Sequence, residues 1–159
     1  VDSATINNSL LEVFSSVLEE SAFMFTEPGD ESSLEEVTDH YVMVTIGFSG
    51  PTSGKIILAV PEEIVPQITA NMLGMDEDDP LVLENPHDGL KELINVVCGN
   101  LATQIMGAEV VVNLEIPETQ LIEADRLEAL FIDDQPMIVL IDDYPSILTA
   151  RIISDQEST

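Results

Sequence analysis

Positive charge is what this chain of 159 residues has least of: four Lys plus Arg stand against 31 Asp plus Glu, for a formal net charge of −27 and an isoelectric point near 4.1. With Lys55, Lys91, Arg126 and Arg151 as its whole supply of cations, it has too little to neutralise phosphates, which argues against direct nucleic-acid binding. A polybasic hold on an anionic membrane fails for the same reason. Cysteine is scarcer still. Cys98 alone can form neither an internal disulfide nor an all-cysteine metal site, and its helical neighbours Val97 and Leu101 mark it as a small core residue rather than a nucleophile. No apolar run approaches the ~18 residues of a membrane span. Nor does a basic, apolar, small-residue leader open the sequence, so a cytoplasmic protein is expected.

What is present is an ordinary core-forming fraction. Apolar residues make up 45% of the chain, and its length is that of one domain able to bury a real core, so wholesale disorder is not expected. The acid keeps the surface soluble and repels like-charged partners, as it does in salt-adapted proteins. Its densest run, Asp76-Glu77-Asp78-Asp79, lacks the alternating ligands and the glycine of a calcium loop, and no metal site is expected. His40 and His87 each stand alone, His87 as a surface residue at a helix start. Ser49 between Gly47 and Gly50 is one residue short of a nucleophile elbow. No G-K-S/T follows Gly47, Gly50 and Gly54, so they make no phosphate loop.

Along the chain, Ile6, Leu10, Val13, Phe14, Val17 and Leu18 recur at helical spacing and predict an amphipathic helix over 6–23. Residues 26–36, with Pro28 and Gly29, read as a loop. The β-rich runs 41–48 and 55–60, joined by a Gly/Pro/Ser turn, read as a hairpin. A short helix is expected over 62–73, stopped by Gly74, with Pro66 tolerable in the first turn. An acidic link, 76–86, leads to the most regular helix, 87–106, which Gly107 ends. Strands are expected at 110–116, 120–123, 127–132, 137–141 and 147–153, with turns at Pro117, Asp133-Asp134, Pro136 and Asp142-Asp143. Helices that mostly precede a run of adjacent strands argue an α+β fold with a largely antiparallel sheet. One domain over 1–159 is expected, with 1–5 and 155–159 as flexible ends.

At about 100° per residue, the 87–106 helix separates into two faces. Leu90, Leu93, Ile94, Val97, Leu101 and Ile105 form one. Asp88, Glu92, Asn95 and Gly99 fall opposite, within about 60° of each other. Such a stripe is commonly a solvated face. Asn and Gly inside a helix, however, each cost roughly 0.5–1 kcal/mol relative to Ala, and a solvated face needs neither.

Those residues carry a resemblance. Asp88-Gly-Leu-Lys-Glu92-Leu-Ile-Asn95 is similar to the D/S-x-x-x-E-x-x-N signature of the CheC/CheX/FliY chemotaxis phosphatases. Gly99-Asn100 continues in the family's manner, and Pro117 falls near its downstream proline. With Ile46-Gly-Phe-Ser-Gly50, Gly54 and Met72-Leu-Gly-Met75, the resemblance extends over roughly residues 40–120. Two-site members carry a second motif; here the first helix has Ser15 three residues after Glu12 and Phe23 three after Glu20, with no Asn at either place. One site per chain resembles the CheX branch.

The resemblance implies a CheC-like fold, with long helices packed on one face of the sheet, and a homodimer. It implies hydrolysis of the aspartyl phosphate of a CheY-type response regulator, in chemotaxis or another two-component circuit. The regulator would bring its own Mg²⁺ and lysine, and no cofactor would sit on this chain. Asn95 would aim the attacking water, and an amide, with donor and acceptor groups, can orient water without deprotonating it. Glu92 would pair with the regulator's lysine. Asp88 would cap or support the helix, and Gly99 would let the partner approach. The alternative is a non-catalytic module on the same fold that binds a regulator or belongs to the motility switch.

Overall fold

The computed structural model describes residues 3–34, 38–132 and 135–153. Helix α1 (Ser3–Val17) buries Ile6, Leu10, Val13, Phe14 and Val17, the face that its three- and four-residue spacing selects. A π-helical turn, Leu18–Ala22, continues it, and Phe23 closes it at φ 55°, its N–H returning to the Leu18 carbonyl. Of the ends expected to be flexible, Ser3–Thr5 lie in α1, whereas residues 1–2 and 155–159 fall outside the described residues.

The hairpin expected from the β-rich runs is present and longer than its apolar cores. Strands β2 (His40–Ser49) and β3 (Ser53–Pro61) pair antiparallel, with Tyr41 opposite Pro61 and Phe48 opposite Gly54. A 3-10 turn, Glu62–Ile64, leads into α2 (Val65–Leu73), where Pro66 occupies the first turn and Gly74, at φ 68°, caps the end. The left-handed conformation at Gly74 is one that a residue without Cβ adopts freely. Helix α4 (Asp88–Met106) ends at Gly107, φ 93°. Strands β6 (Met137–Ile141) and β7 (Tyr144–Ile153) meet across Asp142 and Asp143, both at positive φ, the geometry of a two-residue hairpin turn.

Several sequence expectations are corrected. Residues 26–36 are not all loop: β1 (Thr26–Pro28) pairs with β6, and Glu31–Leu34 form a 3-10 turn. Pro28 stands in an edge strand, where proline is tolerated. The acidic link contains helix α3 (Pro80–Glu84), opened by Asp79, whose side chain accepts the Leu81 N–H at 2.9 Å, with Pro80 at its start. Of the strand expected at 110–116, Asn113–Leu114 (β4) is formed, whereas β5 runs over Glu118–Glu123. The stretch 127–132 is not a strand. Ala124–Arg126 form a 3-10 turn and Leu127–Leu130 helix α5, in keeping with the helix-forming Leu-Glu-Ala-Leu composition that the strand reading overlooked. The turn expected at Asp133-Asp134 lies outside the described residues.

The seven strands of the described residues form one antiparallel sheet in the order β1-β6-β7-β3-β2-β4, with β5 also on β2. Its strands alternate between two cores. Val42, Val44, Ile46 and Phe48 of β2 and Ile56, Leu58 and Val60 of β3 face α1, α2 and α4. Tyr41, Ile57 and Ile147 face the other way and pack under Leu127 and Phe131. The fold is thus α+β, with the long helices on one face. The Tyr41 hydroxyl is buried without a hydrogen-bond partner among the described residues.

Candidate functional site

Helix α4 buries Leu90, Leu93, Ile94, Val97, Cys98 and Leu101 in the larger core. That leaves the opposite stripe outward: Asp88 and Glu92 are exposed, and Asn95 and Gly99 half-buried. Burial pushes the Cys98 thiol up to about 12, so it is a core residue with no thiolate to offer at neutral pH.

Both ends of the helix are tied down. At the start, His87 is its N-cap residue without a side-chain capping bond. It stands at the helix start as expected from sequence, half-buried, and its Nδ1 is hydrogen-bonded to Thr119 Oγ1 of β5 at 3.1 Å. The Gly89 N–H donates to Thr69 Oγ1 of α2 at 3.1 Å, and the Thr69 hydroxyl donates to the Pro86 carbonyl. At the far end Met106 Sδ accepts the N–H of Thr52, from the β2–β3 turn, at 3.4 Å. The stripe therefore sits on a helix held by α2, β5 and the hairpin tip.

No hydrogen bond or ion pair within the described residues engages the side chains of Asp88, Glu92 or Asn95. Three polar groups along one stripe are thus left to meet a partner or water. Asp88 is not the cap; as the acid in the first turn it favours the helix through the dipole.

The two glycines of the helix differ in kind. A Cβ on Gly89 would collide with the Thr69 backbone, so that glycine is required by packing. A Cβ on Gly99 would meet Leu114 Cδ1 at 3.9 Å, ordinary contact. Nothing among the described residues asks for glycine at position 99.

Sequence reasoning placed the stripe but missed its surroundings. Thr69, Thr119 and Leu114 come to it from α2, β5 and β4, and a glycine in the first helical turn was the one local sign of the close approach of α2. The first helix, searched for a second motif, packs against α4 with Leu10 and Phe14 in the same core. Among the described residues no group of three or more His, Cys, Asp and Glu side chains is placed to hold a metal ion, and no helix is long and apolar enough to cross a membrane.

No curated protein matches the chain. Its fold is similar to that of a chemotaxis protein CheX from Desulfovibrio desulfuricans (TM-score 0.65, 13% identity, 94% of this chain and 99% of that one). It is also similar to a CheX from Borrelia burgdorferi, solved as a CheX–CheY–BeF3–Mg complex (TM-score 0.63, 21% identity, 93% and 97%). A third is a putative chemotaxis protein from Desulfovibrio vulgaris Hildenborough (TM-score 0.66, 14% identity, 94% and 97%). The family of the chemotaxis phosphatase CheX matches residues 42–129, more than half of the sequence and the whole of the α4 stripe. The chain belongs to the CheX family.

Proposed function

We propose that this chain hydrolyses the aspartyl phosphate of a CheY-type response regulator. The observation that carries the reading is the unpaired stripe of Asp88, Glu92 and Asn95 on an anchored helix, at the spacing of the family signature. Family membership supports it, and so does the CheX of Borrelia burgdorferi, solved with CheY, BeF3 and Mg²⁺.

In this reading α4 presents its stripe to the regulator's phosphorylation site. Asn95 enters it and hydrogen-bonds the attacking water through its amide, fixing the line of approach to phosphorus. Glu92, one turn away, pairs with the regulator's active-site lysine and sets the register of docking. Asp88 supports the start of the helix, and Gly99 leaves room for the partner backbone. The Mg²⁺ sits on the regulator, where it offsets the charge of the phosphoryl oxygens. Phosphoryl transfer is largely positioning and electrostatics, so a neutral amide and a carboxylate suffice on this side. The reading includes a homodimer with one site per chain and a place in chemotaxis or a related two-component circuit.

The experiment is phosphate release from a phosphorylated regulator of the same organism, with wild type, Glu92→Ala and Asn95→Ala side by side. Wild type is expected to accelerate release. Asn95→Ala is expected to lose about 10²-fold or more of that acceleration while its melting temperature rises slightly, because the group positions water, bonds to nothing among the described residues and is replaced by a better helix former. Glu92→Ala is expected to raise KM more than it lowers kcat. An Asn95→Ala protein as active as wild type removes the mechanism. Release at the regulator's own rate with all three, alongside a stable complex, makes the chain a binding module instead.

A further inference from the structure

The two flanks of the α4 stripe differ in charge. On the α2 side, the segment leading into α4 carries Asp76, Glu77, Asp78 and Glu84, all exposed. On the sheet-edge side, strand alternation turns Glu115 and Glu118 away and leaves Glu123, opposite His40 and 3.8 Å from Arg126, as the acid of β5 on the helix-bearing face. Leu114 is opposite Phe48, and Thr119 and Leu121 are opposite Val44 and Val42. These three therefore share the helix-bearing face with those core residues. Glu118 is opposite Thr45, and Glu115 lies across Gly47 with its N–H on the Gly47 carbonyl at 2.9 Å. Both carboxylates are thereby turned to the far face of the sheet.

What remains beside the stripe is an uncharged strip in which Leu114 is 37% and Leu121 51% exposed. The strip is continuous with the site, because His87 bonds Thr119 and Leu114 lies next to Gly99. Lys91 stands on α4 three residues after Asp88 and four before Asn95, one of four cations in the chain, and the wheel turns it toward this flank. It is half-buried, and no carboxylate of the described residues pairs with it. Lys55, by contrast, lies opposite Gly47 on the far face of the sheet.

We propose that the phosphorylated regulator docks across this sheet-edge flank, over Leu114, Thr119 and Leu121, with Lys91 as the positioning cation that draws in its negative phosphorylation site. The inference rests on the proposed function for its occupant and adds the side of approach and the residue that steers it. The choice of occupant follows from charge complementarity. A phosphoryl group carries close to two negative charges at neutral pH, and a chain at −27 repels it everywhere that acid prevails. This flank has Lys91 on α4, and the one exposed carboxylate that its strand β5 turns to the helix-bearing side, Glu123, lies beyond Leu121 with Arg126 at 3.8 Å, so the repulsion is weaker here than beside the acids of the α2 side.

The test compares wild type, Lys91→Gln, Lys91→Glu and Leu121→Asp, with Lys55→Gln as control, by phosphate release at low and high salt. A titration of each protein with the beryllofluoride-loaded, Mg²⁺-bound regulator measures docking without turnover. Lys91→Gln is expected to raise KM and the titrated Kd about five-fold at low salt, and Lys91→Glu ten-fold or more, with kcat within about two-fold of wild type and the difference shrinking at high salt. Leu121→Asp is expected to weaken binding as Lys91→Glu does, and Lys55→Gln to behave as wild type. The inference is overturned by a Lys91→Gln protein with wild-type KM, Kd and salt dependence. It is equally overturned if that variant loses as much kcat as Asn95→Ala, or if Leu121→Asp binds as wild type does. If wild type binds but does not accelerate release, the phosphatase reading fails while the titration still decides the docking flank.

Discussion

Thr69 and Gly89 join α2 to the site helix through one hydroxyl, which accepts the Gly89 N–H at 3.1 Å and donates to the Pro86 carbonyl. The contact is close enough that a methyl group on Gly89 would run into the Thr69 backbone. Relief would require α2 and α4 to part, and overpacking of this kind costs about 1–3 kcal/mol. Gly89→Ala is therefore expected to lower the melting temperature by several degrees. A thermal melt that matches wild type would show that α2 moves aside freely.

Gly99→Ala has the opposite sign. The new methyl group meets Leu114 Cδ1 at ordinary distance, and replacing a mid-helix glycine by alanine stabilises a helix by about 1 kcal/mol. The melting temperature is expected to rise, while phosphate release from the regulator slows by roughly ten-fold as the docked partner is held off its position. A variant both more stable and fully active would show that the partner does not approach α4 there.

That contrast marks where sequence stops being informative. Asp88, Glu92, Asn95 and Gly99 could be read because helical periodicity alone decides which residues share a face, and the unfavourable Asn and Gly stood out on it. Hairpins with strong local signals were also readable, such as the one turning at Asp142 and Asp143. Pairings across long sequence separations were not. Nothing near Thr26 announces a strand against Ile141, and nothing near His87 announces Thr119. The stretch 127–132 was misread because short apolar runs fit strand and helix alike, and tertiary packing of Leu127 and Phe131 on Tyr41 settled the matter.

Cys98 gives a pH prediction. Below about pH 9 the thiol is protonated whether the chain is folded or not, and stability is unaffected. As pH rises through 9 the thiol of the unfolded chain ionises, whereas burial keeps that of the folded chain protonated up to about 12. The unfolded state therefore binds fewer protons across this window, and stability falls with rising pH. Denaturant melts from pH 8 to 11 are expected to show a decline that is shallower in Cys98→Ala. In the folded wild type at pH 8 the thiol is expected to resist alkylation until denaturant is added, and rapid labelling without denaturant would contradict the burial.

Tyr41 keeps a hydroxyl in the smaller core without a partner among the described residues. Burial first, and the nearby Glu63 carboxylate second, hold its phenol above the usual tyrosine range. Removing a buried, unbonded hydroxyl restores no lost bond and spares a desolvation cost of about 1 kcal/mol or more. Tyr41→Phe is expected to raise the urea midpoint with an unchanged m-value. A fall of the midpoint would mean that the hydroxyl is hydrogen-bonded in solution.

The free side chains of Asp88, Glu92 and Asn95 carry an evolutionary consequence. Because neither Glu92 nor Asn95 bonds to another of the described residues, the packing of the fold does not call for them. A lineage released from its regulator could exchange Asn95 for a better helix former and let Glu92 drift, and keep the same sheet, cores and helix anchors. If the proposed function holds, active and inert versions of this scaffold are expected to differ along one helix face.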